Sequence, residues 1–75
     1  MASQAAQVLE KSIRALGGTW GTHRSVSVLS NAGLGRGDLR AQEKRARQAL
    51  RDLNAAGVIV KVDPDSATYR LTTEQ

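Results

Sequence analysis

The sequence predicts an α+β domain, a three-helix bundle closed by a C-terminal β-hairpin. Three stretches place apolar residues at helical spacing between a capping side chain and a glycine, and a last stretch alternates β-branched residues around an Asp-Pro-Asp-Ser turn. The length of 75 residues supplies one modest core and a single domain over 1–75, too little for a layered sheet with a deep substrate cleft. An enzyme is therefore not expected.

The first helix is expected from Gln4 to Leu16, with Ser3 as its cap and Gly17-Gly18 as its stop. Val8, Leu9, Ile13 and Leu16 form its apolar stripe, and Glu10 and Arg14 stand at i,i+4 in the favourable order. A short Thr19-Trp20-Gly21 connection follows, with Trp20 as a plug over the small core. In HRSVSVLSNAGL, Val26 and Val28 alternate with serine as in a strand. Thr22 as a cap, the spacing of Val26, Leu29 and Ala32, and the terminal Gly33 favour a second helix from His23 to Asn31. Gly33-Leu-Gly35-Arg-Gly37 then makes a turn.

In the third helix Asp38 caps, Leu39, Ala46, Leu50 and Leu53 form the buried stripe, and Asn54-Ala-Ala-Gly57 ends it. VIVKV and TYRLT are the two strands of the hairpin, joined by Asp63-Pro64-Asp65-Ser66. No apolar stripe is left over once this core is assigned. No run is long and apolar enough to span a membrane, the start Met-Ala-Ser-Gln lacks the regions of a signal peptide, and there is no cysteine. A cytoplasmic protein is expected.

The net charge is +4, and its location says more than its size. Arg36, Arg40, Lys44, Arg45, Arg47 and Arg51 are opposed by Asp38 and Glu43 alone, so this one window carries the whole excess. On a helix Arg40, Lys44, Arg47 and Arg51 fall at i, i+4, i+7 and i+11, one cationic stripe roughly 16 Å long. A duplex presents phosphates on both sides of a major groove that admits a helix, and arginine suits bidentate contacts to phosphate or guanine. The bland alternative is a solvated face on which Glu43 pairs with Arg47.

The order of three helices and a hairpin, with ALRDLNAAGVIVKV followed by TYRLT, resembles the winged helix-turn-helix superfamily of DNA-binding proteins. The likeness covers nearly the whole chain in architecture and residues 46–71 in phrasing. It implies that the third helix is the recognition helix and the hairpin the wing. By that analogy Arg40, Lys44, Arg45 and Arg47 would read bases, and Arg36 and Arg51 would hold phosphates. Lys61 or Arg70 would make the wing contacts, the acids Asp63 and Asp65 at the tip opposing deep insertion. The chain departs from the common pattern between Gly33 and Leu50, where extra residues imply an unusually long helix or an extended turn.

Arg24 belongs to the same expectation: Thr22, His23, Arg24 and Ser25 open the second helix, whose amides can hold a phosphate as readily as the residues merely cap it. His23 has no second metal ligand nearby, so neither metal nor cofactor is expected. The GLGRG glycines lack the strand and the Lys-Ser/Thr of a phosphate loop, and Arg36-Gly37-Asp38 is a chance adhesion tripeptide. With Trp20 and Tyr69 the only aromatics, base-stacking platforms for single strands or RNA are missing. The sequence thus points to a regulator of transcription that binds double-stranded DNA, with no small-molecule ligand and a homodimer left open through the first helix. A protein-interaction module of the same fold, or the DNA-binding part of a larger enzyme, are the rival readings.

Overall fold

The computed structural model describes residues 3–72. Three helices, α1 (Gln4–Leu16), α2 (Thr22–Asn31) and α3 (Leu39–Ala55), precede the strands β1 (Ile59–Lys61) and β2 (Tyr69–Leu71). The strands pair antiparallel with Ile59 opposite Leu71, Val60 opposite Arg70 and Lys61 opposite Tyr69. This is the α+β layout of a winged helix, as expected.

The caps read from the sequence hold α1 and α3. The Ala6 amide donates to Ser3 Oγ at 3.1 Å, and the Ala41 amide donates to Asp38 Oδ1 at 2.9 Å. The start of α2 differs. Gly21 is its N-cap and supplies no side-chain hydrogen bond, while Thr22, expected as the cap, is the first helical residue. The Ser25 amide reaches Gly21 O at 3.1 Å and its hydroxyl donates to the same carbonyl at 2.8 Å, which closes the first turn one residue early and buries Ser25.

Both α2 and α3 end on a glycine in the left-handed region, Gly33 at φ 84° and Gly57 at φ 80°. The amides that follow fold back, Leu34 to Leu29 O at 2.8 Å and Val58 to Leu53 O at 2.9 Å. Each end therefore satisfies its last carbonyls and turns the next apolar residue onto the core. Between Gly33 and α3 the chain is both extended in its turn and long in its helix, which spans 17 residues.

The core gathers Leu9 and Ile13 of α1, Trp20, Leu29, the Ala46, Ala49, Leu50 and Leu53 face of α3, Ile59 and Tyr69. Two leucines expected in apolar stripes are instead exposed: Leu16 at 64% and Leu39 at 62%. Leu16 lies in the last turn of α1, after which the chain leaves at Gly17. Leu39 lies in the first turn of α3, whose fully buried positions begin only at Ala46. Ala6 and Ala49 complete the stripes in their place. Val60 and Val62 of the hairpin are also exposed.

Trp20 does more than plug the core. Its amide donates to Tyr69 O at 2.7 Å and its carbonyl accepts from the Tyr69 amide at 2.8 Å, giving β2 a partner on each side. The buried indole N–H donates to Gly17 O at 3.0 Å. At the tip the Asp65 amide donates to Asp63 Oδ1 at 3.0 Å, the local bond that turn chemistry predicts. Among the described residues no helix is long and apolar enough to cross a membrane.

Candidate nucleic-acid interface

Burial of Ala46, Ala49, Leu50 and Leu53 fixes the rotation of α3 and turns the cationic stripe outward, about 140° away on the helical wheel. Arg40, Lys44, Arg47 and Arg51 are all exposed. Glu43 and Arg47 do not form the i,i+4 pair that the solvated-face reading expects: among the described residues the ion pair is Arg14 Nε with Glu10, at 3.0 Å on α1. The four guanidinium and ammonium groups therefore face solvent without an acidic partner among the described residues.

The hairpin adds to this surface on one side only. Lys61 lies opposite Tyr69, on the sheet face turned toward α3, and borders a shallow groove of about 170 Å³ with Arg47, Arg51 and Thr22 around Leu50 and Tyr69. Two elements, α3 and β1, thus bring Arg47, Arg51 and Lys61 to one place. Arg70 lies opposite Val60, on the other face, and borders a cleft with Gly17, Gly18, Thr19 and Leu71. The structure separates the two wing cations that the sequence could not tell apart.

Two further arginines of the expected set are held within the protein. Arg45 donates from Nη1 to Leu34 O at 2.7 Å and from Nη2 to Arg36 O at 3.1 Å, clamping the turn between α2 and α3. Arg24 lies 3.9 Å over the Trp20 ring and donates from Nη1 to Gly17 O at 3.2 Å and to Thr19 O at 2.9 Å, fastening the α1–α2 connection. Both side chains are half-buried. Ser25, also placed at the opening of α2, is fully buried.

Arg36 is exposed at the end of the turn that Arg45 clamps. With Lys44 and Arg45 it borders an open depression of about 710 Å³ between α3, Leu34 and the start of α1. The outward surface is therefore Arg36, Arg40, Lys44, Arg47, Arg51 and Lys61. Sequence spacing finds five of these but not which wing residue joins them, nor that Thr22 lines the groove. Strand register decides the first and the one-residue-early start of α2 decides the second. No family model matches the chain, and no curated protein or solved structure matches it either.

Proposed function

We propose that this chain binds double-stranded DNA, with α3 as the groove-reading helix and the inner face of the hairpin as a clamp on the flanking backbone, and that it acts as a small regulator of transcription without catalysis. The observation that carries the reading is the stripe of Arg40, Lys44, Arg47 and Arg51, exposed, without acidic partners among the described residues and continuous with Lys61. A stripe of about 16 Å matches the span of phosphates that one helix meets along a major groove. The Glu10–Arg14 pair on α1 shows that charges on this molecule do pair where geometry allows. Six outward cations without an ion pair among the described residues favour a polyanionic partner.

The affinity of wild type and of the double variant Arg40→Ala/Arg47→Ala for a random 20-base-pair duplex, measured by fluorescence anisotropy across a salt series, tests this. Micromolar or tighter binding at low salt is expected, with a slope of log K against log salt of roughly −4 to −5 for four to six neutralised phosphates. The double variant is expected to lose most of that binding. No binding by wild type at low salt would overturn the reading.

A second reading has its own observation. Val60 and Val62, both exposed, share the outer face of the hairpin and suit a protein partner better than DNA. Charge reversal at Arg40 and Arg47 would leave such an interaction intact, whereas Val60→Glu/Val62→Glu would abolish it.

A further inference from the structure

We infer that the depression between α3, the turn before it and the start of α1 is a binding site for a small carboxylate with an apolar body. At about 710 Å³ it falls within the size range of small-molecule sites and is far larger than the groove beside Lys61. Three stretches distant in the chain meet there, the start of α1, the turn at Leu34 and Arg36, and α3 from Lys44 to Ala49, so residue spacing cannot reveal it. The inference stands apart from the DNA reading, since Arg36 and Lys44 alone are common to this depression and the outward surface.

The lining decides the occupant. Arg36, Lys44 and Arg45 border the depression and no acid does. Arg36 and Lys44 are exposed and in no ion pair among the described residues. Arg45 gives hydrogen bonds to the carbonyls of Leu34 and Arg36 but keeps its charge. Three cations and no acid call for an anion. The rest of the wall is apolar: Ala5 and Leu34 are half-buried, packed against the core yet open to the depression, and Ala49 lies beneath them. A nucleic-acid phosphate would leave that wall uncovered. Gln48 and Ala49 also point about 70° and 170° away from the centre of the cationic stripe, so a duplex lying along the stripe would not reach them. A carboxylate held by Arg36 and Lys44, with a ring laid on Ala5 and Leu34, uses both halves of the lining.

The probe is 2-naphthoate, titrated into the isotope-labelled full chain at constant salt and followed through the backbone amide shifts by nuclear magnetic resonance. Saturable shifts are expected around Ala5, Leu34, Lys44 and Ala49. The same ring without the charge, 2-naphthylmethanol, and the charge without the ring, acetate, should each bind more weakly by about fivefold or more. Lys44→Gln is expected to cost about fivefold in affinity, the weight of one exposed ion pair. Gln4→Glu, which sets an anion at the rim, should also weaken binding. Lys11→Ala removes an exposed cation two turns along α1 and should leave the affinity as it is. All three positions are on the surface or half-buried, and the amide spectrum of each variant reports directly that it is folded. Absence of saturable shifts, shifts centred elsewhere, equal binding of the neutral ring, or equal losses in Lys44→Gln and Lys11→Ala would each overturn the site and leave the DNA reading untouched.

Discussion

Arg45 and Arg47 are two positions apart on one helix and serve opposite ends. Arg45 turns inward and spends its planar fork on two backbone carbonyls of the preceding turn, Leu34 and Arg36. Arg47 turns outward, has no ion pair among the described residues and borders a groove with Arg51, one turn along the same helix, and Lys61 of β1. Two positions on a helix are about 200° of rotation, so one side of α3 faces the turn it must hold and the other faces solvent. Arg24 repeats the inward case on Trp20. The difference teaches that a count of arginines in a basic window overstates the surface open to a polyanion. Here Arg24 and Arg45 stabilise the domain, and the remaining cations define its outward charge.

The largest expected effect comes from removing the ring over which the inward Arg24 stacks. Trp20 is fully buried, stacks under Arg24 and pairs with β2, so Trp20→Ala is expected to cost about 3–5 kcal/mol. In a domain of this size that is most of the stability. Urea denaturation followed by far-ultraviolet circular dichroism measures it, and a midpoint close to wild type would show that Trp20 does not anchor the bundle.

A smaller contrast separates the two arginines directly. Arg45→Ala is expected to lose about 1–2 kcal/mol of stability, the weight of two charge-assisted hydrogen bonds at a partly exposed site. Arg45→Lys should not restore it, since an ammonium cannot span both carbonyls as the fork does. Arg47→Ala should leave stability within about 0.5 kcal/mol of wild type and flatten the salt slope of duplex binding by about one. Thermal melts paired with the salt series read both quantities. Should Arg45→Ala flatten the slope and leave the melt unchanged, the inward assignment is wrong.

Much of this fold is legible in the sequence because local signals agree. Ser3, Asp38, Gly33 and Gly57 mark helix ends by chemistry that acts within a few residues, and their hydrogen bonds form where expected. What the sequence does not carry is what depends on distant neighbours. Leu16 and Leu39 sit at helical spacing yet lie in terminal turns, and spacing alone cannot tell where the packed stretch stops. Trp20 pairs with β2 through one residue, too short a run to show alternation. The partners of Arg24 and Arg45 are backbone carbonyls, present at every position and therefore silent in sequence.

The hairpin gives the smallest effect and the cleanest separation, because its two cations differ in little but register. Lys61 pairs with Tyr69 and faces α3, whereas Arg70 pairs with Val60 and faces away. Neither is in an ion pair among the described residues, so removing either should change stability by no more than about 0.5 kcal/mol. Only Lys61 shares the groove with Arg47 and Arg51. Lys61→Ala is therefore expected to weaken duplex binding several-fold and to lower the salt slope by about one, the signature of a single phosphate contact. Arg70→Ala should leave the slope as it is, with at most a slight change from the weaker overall field. Anisotropy titrations of both variants at two or more salt concentrations decide the matter. Equal losses would mean that the wing contributes only net charge; a larger loss for Arg70 would place the duplex on the outer face of the sheet, where Val60 and Val62 also lie.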